Sequence, residues 1–113
     1  KENRLNHLSM GKYATNILRV PSLKGSSKEK CQHPCQKPID LITKLVLCST
    51  DPGDTVLDPF FGSGTVGVVC EALSRHWLGI EIDPHYAAIA RRRIEAQRTR
   101  LFAPVAAAEA ASN

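Results

Sequence analysis

The segment Asp58-Pro59-Phe60-Phe61-Gly62-Ser63-Gly64-Thr65 is the most informative part of this 113-residue chain. It follows the short apolar segment Thr55 to Leu57, and its two glycines let the backbone turn sharply and approach a ligand closely. A helix that begins at the end of such a loop points its unpaired N–H groups at the ligand. The stretch therefore predicts a strand, a glycine loop and a helix that together bind a nucleotide-type cofactor.

A second acidic segment, Gly79-Ile80-Glu81-Ile82-Asp83, closes another apolar strand further along the chain. A carboxylate about 20 residues after a glycine loop is where open α/β folds bind a ribose. Glu81 is therefore the candidate ribose ligand.

Strands and helices alternate through the central part of the chain. Hydrophobic periodicity predicts helix 39–49, strand 55–58, helix 64–75, strand 77–82 and helix 84–97. This order indicates an α/β fold with a parallel sheet flanked by helices. Two strands are too few for a stable open sheet, so further strands are expected from a preceding part of the polypeptide or from a partner chain. The first source is favoured because the sequence begins with Lys1 rather than Met.

The remaining regions have little periodicity. Residues 1–38 form a polar, basic arm with one possible strand at 16–20 and a flexible connection at 25–27. Residues 39–97 form the predicted cofactor-binding subdomain, and residues 98–113 a frayed tail.

The net charge of +4 is compatible with an acidic partner without requiring one. No signal peptide or membrane span is visible, and reduced thiols in a cytoplasmic protein are expected of the four cysteines. Cys31 to Cys35 is not followed by a second pair of metal ligands, so no metal site is expected.

The spelling Gly62-Ser63-Gly64-Thr65-Val66-Gly67 also satisfies G-x-G-x-x-G, the fingerprint of dinucleotide folds. In those folds the first glycine follows the strand almost directly, whereas four residues intervene here. Asp58 at the strand's end would repel a pyrophosphate but suits an ammonium group. S-adenosylmethionine carries such a group, together with a carboxylate and a ribose. A purely structural role stays open, in which Asp58 caps a helix and the glycines only permit tight packing.

The prolines of His33-Pro34-Cys35-Gln36-Lys37-Pro38 hold an extended backbone ahead of the first helix. Lys37 could neutralise the carboxylate of the cofactor. It could equally be a solvated turn residue, with His33 an ordinary surface imidazole.

Three sequence motifs in a fixed order resemble those of one known family. They are His33 to Pro38, Pro52 to Thr65 and Arg75 to Tyr86. They resemble the C-terminal, cofactor-binding part of β-class bacterial DNA amino-methyltransferases, in which the catalytic segment comes first. Residues 15–21 and 25–29 resemble the lead-in of adenine-specific members. The resemblance spans residues 11–97 and implies an incomplete Rossmann-like S-adenosylmethionine-dependent methyltransferase fold.

The resemblance implies S-adenosyl-L-methionine as the cofactor and double-stranded DNA as the substrate. Glu81 would take the ribose hydroxyls, and Ile82 and Asp83 would border the adenine. The methionine end would lie against Asp58 and the backbone of Phe60, Phe61, Gly62, Ser63 and Gly64. Thr65 is a further cofactor-binding candidate.

The upstream box would close the carboxylate side of the cofactor with His33, Cys35, Gln36 and Lys37. Cys35 stands where family members usually carry Thr. A thiol is a weak hydrogen-bond donor, so one lost bond would cost about 0.5–1.5 kcal/mol.

The family transfers a methyl group to an exocyclic amine by means of an Asp- or Ser-Pro-Pro-aromatic loop that holds an extruded base. This sequence contains no Pro-Pro, and its Asp58-Pro59-Phe60-Phe61 runs into the glycine loop. No catalytic residue is therefore expected in these 113 residues, and the catalytic portion is expected upstream or in a partner chain. A homodimer is an open option.

Two alternative functions stay open. The chain could be a catalytically inactive module that binds cofactor or a partner, or a dinucleotide-binding oxidoreductase domain. The arginines of the last helix could follow a DNA phosphate backbone, although such a run is more often a solvated helix surface. These are Arg91, Arg92, Arg93, Arg98 and Arg100.

Overall fold

A computed structural model describes residues 17–24, 28–31, 33 and 35–102 of the chain. Its helices and strands, in chain order, are α1 (Ile39–Ser49), β1 (Thr55–Asp58), α2 (Thr65–Ala72), β2 (His76–Gly79) and α3 (Pro84–Phe102). The structure does not describe the first 16 residues, the connection predicted at 25–27, Gln32, Pro34 or the tail beyond Phe102.

The two strands pair in parallel, with Thr55 opposite His76 and Leu57 opposite Leu78. Further hydrogen bonds continue the pairing past both strand ends. The amide of His76 donates to the carbonyl of Asp54, and that of Phe61 to the carbonyl of Ile80, each at 2.8 Å. Because α2 connects the two parallel strands, the β-α-β order predicted from periodicity is confirmed.

One face of this sheet is covered by helices and the other is exposed. Val56 and Trp77 are half-buried on the covered face, while Leu57 and Leu78 are 60% and 58% exposed on the other. Alternation along a strand sends neighbouring side chains to opposite faces, so the apolar Ile80 continues the exposed row at 55%.

The core lies between α2, α3 and the covered face of the sheet. Phe61, Val68, Ala90 and Ile94 form its centre, and the ring of Phe61 stacks on Trp77 with centroids 5.1 Å apart. The helices approach closely because α2 carries Gly67, where an added Cβ would lie 2.6 Å from a methyl carbon of Ile94. Helix packing therefore explains the third glycine of the G-x-G-x-x-G pattern.

The helix α1 and the strand β1 have the predicted bounds, but the bounds of the other three elements differ. The second strand is 76–79 instead of 77–82, because the chain turns after Ile80 to bring Glu81 to the glycine loop. The last helix continues to Phe102 instead of ending at 97. The possible strand at 16–20 is not formed over residues 17–20, and Asn16 lies outside the described residues.

The helix α2 ends at Ala72, three residues before the predicted end. Ser74 adopts a left-handed backbone conformation with φ 59°, and the amide of Arg75 donates to the carbonyl of Cys70 at 2.9 Å. This bonding terminates helices, usually with glycine at the left-handed position. The sequence prediction was wrong here because a serine gives no such signal.

Candidate cofactor-binding site

The carboxyl ends of β1 and β2 open into a cleft of about 370 Å³. Ligands of open α/β folds bind at this edge of the sheet. The cleft brings together most of the residues predicted from the sequence, from His33 in the upstream box to Glu81 just after β2. Its lining includes His33, Cys35, Gln36, Lys37, Asp58, Phe60, Phe61, Gly62, Ser63, Thr65 and Glu81.

Three predicted residues, Gly64, Ile82 and Asp83, do not line this cleft. Ile82 is 98% exposed beyond the rim, and Gly64 is buried at the start of α2. Two apolar residues that the sequence analysis missed, Ile42 and Val66, do line it. Ile42 belongs to the apolar stripe of α1, so its spacing signalled burial but not a cleft.

The glycine loop follows directly from β1. The carboxylate of Asp58 accepts a hydrogen bond from the amide of Phe60 at 3.1 Å, which is a turn bond and not the helix cap of the alternative structural role. Gly62 has φ 55°, and a Cβ on it would lie 2.9 Å from Nε2 of His33. Glycine at this position therefore lets the imidazole rest on the loop backbone.

Glu81 joins the end of β2 to this loop. One carboxylate oxygen accepts from the amide of Gly62 at 2.6 Å, and the other accepts from the amide of Asp83 at 2.9 Å. A carboxylate offers about four acceptor positions, so both oxygens can still accept hydroxyl groups. The residue predicted to bind the ribose also holds the loop, and its ribose contact stays a prediction.

Gln36 has a structural role that the sequence did not predict. Its side chain is 8% exposed; its Oε1 accepts from the amide of Cys31 at 2.6 Å, and its Nε2 donates to the carbonyl of Glu29 at 2.7 Å. The carboxylate of Glu29 in turn accepts from the amide of Ile39, the first residue of α1, at 2.5 Å. Glu29 thus caps α1 from ten residues away, which no local pattern could indicate.

His33 is held between the arm and α3. Its Nδ1 accepts from the amide of Cys35 at 3.1 Å, so in the neutral ring the proton lies on Nε2. Its ring meets Tyr86 edge-on with centroids 4.4 Å apart. His33 is therefore packed in place rather than an ordinary surface imidazole, while Cys35 and Lys37 are exposed at the rim of the cleft.

Two arginines of α3 are engaged within the chain. Arg93 donates to Ser63 and Thr65 of the glycine loop. Arg98 donates to Glu71 of α2 at 2.7 Å, and this bond lowers the pKa of the Glu71 carboxyl. The arginines Arg91, Arg92 and Arg100 are exposed, and DNA contact by them stays a prediction.

The four cysteines, all within the described ranges, are free thiols, and burial raises the pKa of the Cys70 thiol in the core. Between residues 17 and 102, leaving aside the gaps at 25–27, 32 and 34, no group of three His, Cys, Asp or Glu side chains could hold a metal ion. No helix in that part of the chain is long and apolar enough to cross a bilayer.

Comparison with known proteins shows what this chain resembles. The family model for N6/N4 methyltransferases, described as DNA methylase, matches residues 1–92. The type II methyltransferase M2.DpnII of Streptococcus pneumoniae is 41% identical over 93 residues, which are 82% of this chain and 35% of that protein. The type II methyltransferase M.Cfr9I of Citrobacter freundii is 51% identical over 70 residues, or 62% of this chain and 23% of its own length.

Among solved structures, the complex of M1.HpyAVI with SAM superposes with a TM-score of 0.63 at 40% identity. The match covers 74% of this chain and 39% of that protein. The chain therefore spans about a quarter to two fifths of the length of these relatives.

Proposed function

Because this chain belongs to the N6/N4 DNA methylase family, we propose that it is the S-adenosyl-L-methionine-binding portion of an enzyme that methylates an exocyclic amine in DNA. One observation carries the proposal. Glu81 contacts the amide of Gly62 in the cleft that Asp58 also lines, which places two carboxylates around one glycine loop. The relative M1.HpyAVI, solved with SAM, supports the same cofactor for this chain.

The residues around the cleft fit this cofactor chemically. Its ammonium and ribose hydroxyls call for acceptors, which Asp58 and Glu81 supply, and its carboxylate calls for a cation, which Lys37 supplies at the rim. The volume of about 370 Å³ lies within the range of small-molecule sites.

Each residue has a separate task in the proposed mechanism. Asp58 holds the ammonium, Lys37 neutralises the carboxylate, and Glu81 accepts the two ribose hydroxyls. Ile82 and Asp83 border the adenine beyond the rim. When bound, S-adenosylmethionine supplies an electrophilic methyl group, and these residues orient it toward the acceptor amine and so lower the entropic part of the barrier.

The acceptor site belongs to another portion of the enzyme. The sequence contains no Pro-Pro, and this chain spans 35% of M2.DpnII and 23% of M.Cfr9I. We therefore place the base-holding loop and the DNA-recognition region in the remaining polypeptide, or in a partner chain. The substrate is double-stranded DNA in the bacterial cytoplasm, with adenine favoured over cytosine by the lead-in residues 15–21 and 25–29.

The exposed sheet face, formed by Leu57, Leu78 and Ile80, is the surface that the remaining polypeptide covers. Parallel sheets are generally buried on both faces, and each of the three side chains is more than half exposed. The relatives contain more than enough additional chain to supply covering helices. The alternative occupant, a second copy of the chain, would appear as a concentration-dependent dimer of the full-length protein.

The substitution Glu81→Gln tests the cofactor assignment. It removes a charged acceptor of two hydroxyls, so we expect the dissociation constant of S-adenosylmethionine to rise about 10- to 100-fold. Isothermal titration of the full-length protein measures this change. The matched control is Glu95→Gln, on the exposed surface of α3, which should bind as tightly as the wild type.

Two outcomes would count against the proposal. Unchanged affinity in Glu81→Gln would remove the ribose assignment, and no binding by the wild type would remove the cofactor. Cofactor binding without methyl transfer to DNA by the full-length protein would support an inactive binding module instead.

A further inference from the structure

One nitrogen of Arg93 lies within hydrogen-bonding distance of three oxygens of the glycine loop. Its Nη1 is 2.7 Å from the carbonyl oxygen of Ser63, 2.9 Å from the Ser63 hydroxyl and 3.2 Å from the Thr65 hydroxyl. The arginine and its acceptors are separated by about one quarter of the chain, 28 and 30 residues. The last helix thus reaches back to the loop at the start of α2.

These contacts are made in a buried setting. Ser63 is 3% exposed and Thr65 is 5% exposed, whereas the neighbouring Arg91 and Arg92 point outward and are exposed. Hydrogen bonds from a charged donor are stronger than neutral ones, and removal from water strengthens them further. Among three consecutive arginines, the one at position 93 is therefore the one that can restrain the loop.

A second bond extends the restraint to the upstream box. The hydroxyl of Thr65 donates to the carbonyl oxygen of Lys37 at 3.4 Å while its oxygen accepts from Arg93. A hydroxyl has a single hydrogen, so the contact with Arg93 directs that hydrogen toward Lys37. The chain of contacts from Arg93 through Thr65 to Lys37 links α3 to both sides of the cleft.

We propose that Arg93 is a positioning residue for the cofactor. It acts through Ser63 and Thr65 to hold the glycine loop and the upstream box at a fixed separation, and it does not line the cleft itself. This inference rests on the proposed function, because the effect on cofactor affinity presupposes that S-adenosylmethionine occupies the cleft. It assigns Arg93 to the cofactor side of the enzyme instead of to a DNA phosphate.

The planar guanidinium is suited to this task. It presents several N–H groups in a rigid fork, whereas the ammonium of lysine is a compact charge on a flexible stem. Arg93→Lys keeps the charge but places it less accurately, and Arg93→Met keeps much of the length while removing every donor. The same two changes at Arg92 provide matched controls on the exposed side of the helix.

The test is steady-state methyl transfer by the full-length enzyme, with KM for S-adenosylmethionine, KM for DNA and kcat measured separately. We expect Arg93→Met to raise KM for the cofactor about tenfold or more, with little change in kcat or in KM for DNA. Arg93→Lys should lie between that variant and the wild type. Arg92→Met and Arg92→Lys should leave KM for the cofactor unchanged.

A DNA contact and a general loss of stability would each give a different result. A DNA contact would raise KM for DNA in Arg93→Met and reduce the dependence of that KM on salt, and this outcome would overturn the proposal. A general loss of stability would lower kcat without a selective change in KM for the cofactor, which would overturn it as well. If the wild type itself neither binds cofactor nor transfers methyl groups, the proposed function fails, which is a separate result.

A second variant keeps the test decisive if Arg93→Met does not fold. Ser63→Ala removes one acceptor of Arg93 and leaves the loop backbone intact. We expect Ser63→Ala to raise KM for the cofactor by less than Arg93→Lys does. In the double variant that combines Ser63→Ala with Arg93→Lys, KM should rise by less than the product of the two single increases. Independent, multiplicative effects would show that Arg93 does not act through Ser63.

Discussion

At the scale of single residues, Gly64 is the position where the loop becomes a helix. Its φ of 78° is left-handed, and a Cβ there would lie 2.7 Å from Cβ of Ala90 on α3. Gly53, in the turn before β1, has a similar φ of 88° but no atom within 4 Å of its Cβ position. The two glycines therefore share backbone strain and differ in packing.

This pair gives a matched stability prediction. Gly53→Ala should lower the free energy of unfolding by about 1–2 kcal/mol because a side chain disfavours the left-handed conformation. Gly64→Ala should lower it by the same amount and by about 1–3 kcal/mol more, since the new methyl overpacks the contact between α2 and α3. Urea unfolding of the full-length protein measures both. Equal losses in the two variants would mean that packing at Gly64 adds nothing to the backbone effect.

Glu81 illustrates how one residue serves two purposes. Its carboxylate holds the amides of Gly62 and Asp83, so the loop is already shaped before a ligand binds. A preorganised site loses less conformational freedom on binding, which favours affinity. A substitution at Glu81 therefore affects the loop as well as the proposed ribose contact. Even Glu81→Gln keeps a single acceptor oxygen and turns a donating NH2 group toward one of the two backbone amides.

At the scale of elements, Glu71 ties α2 to two neighbours. One carboxylate oxygen accepts from Nε1 of Trp77 on β2 at 2.9 Å and from Arg98 on α3 at 2.7 Å. The hydrogen bond from Arg98 is the largest cause of the lowered pKa of Glu71, and partial burial opposes it. The three elements around the core thus meet at one acidic residue.

The lowered pKa predicts how acid affects stability. A carboxyl whose folded pKa lies below its reference value of 4.5 stabilises the fold above pH 4.5, and that contribution is lost as the pH falls through the folded pKa. We expect Glu71→Gln to be less stable than the wild type near neutral pH and to lose less stability below pH 4.5. Urea unfolding across that pH range measures the difference.

The same prediction has an internal check. Arg98→Met removes the donor, so the pKa of Glu71 should return toward its reference value and the acid-dependent loss should shrink in the same way. A wild-type pH profile in Arg98→Met would mean that another group supplies the lowering.

At the scale of the whole molecule, the sheet is covered on one side and open on the other. Trp77 packs on Phe61 on the covered side, while Leu57, Leu78 and Ile80 are more than half exposed on the open side. Three apolar side chains in one row favour an interface with the rest of the enzyme over contact with water.

That expectation is testable in the full-length protein. If the row is covered there, Leu78→Thr should lower the free energy of unfolding by about 1–3 kcal/mol. The control Leu101→Thr, at a leucine of α3 that is 47% exposed, should change it by less than about 0.5 kcal/mol. A negligible effect of Leu78→Thr would mean that the face is open to water in the complete enzyme.

Local signals in the sequence sufficed for much of the architecture and for the outline of the site. The helix at 39–49 and the strand at 55–58 have the predicted bounds, and Glu81 lies at the glycine loop as expected. These features depend on the repeat of apolar residues and on glycines within a few positions, which the chain displays directly. The order of strand, loop, helix and strand then brings both acidic segments to one edge of the sheet.

The side chains that hold the site together are determined by the packing of the folded chain. Three adjacent arginines look alike in sequence, yet packing of α3 on α2 turns Arg93 alone among them to the loop. Gln36 bonds to the arm and Glu29 caps α1, both through contacts that local periodicity does not encode. The physical reason is that a hydrogen bond depends on position in space, and residues 5 to 30 apart become neighbours only in the folded chain.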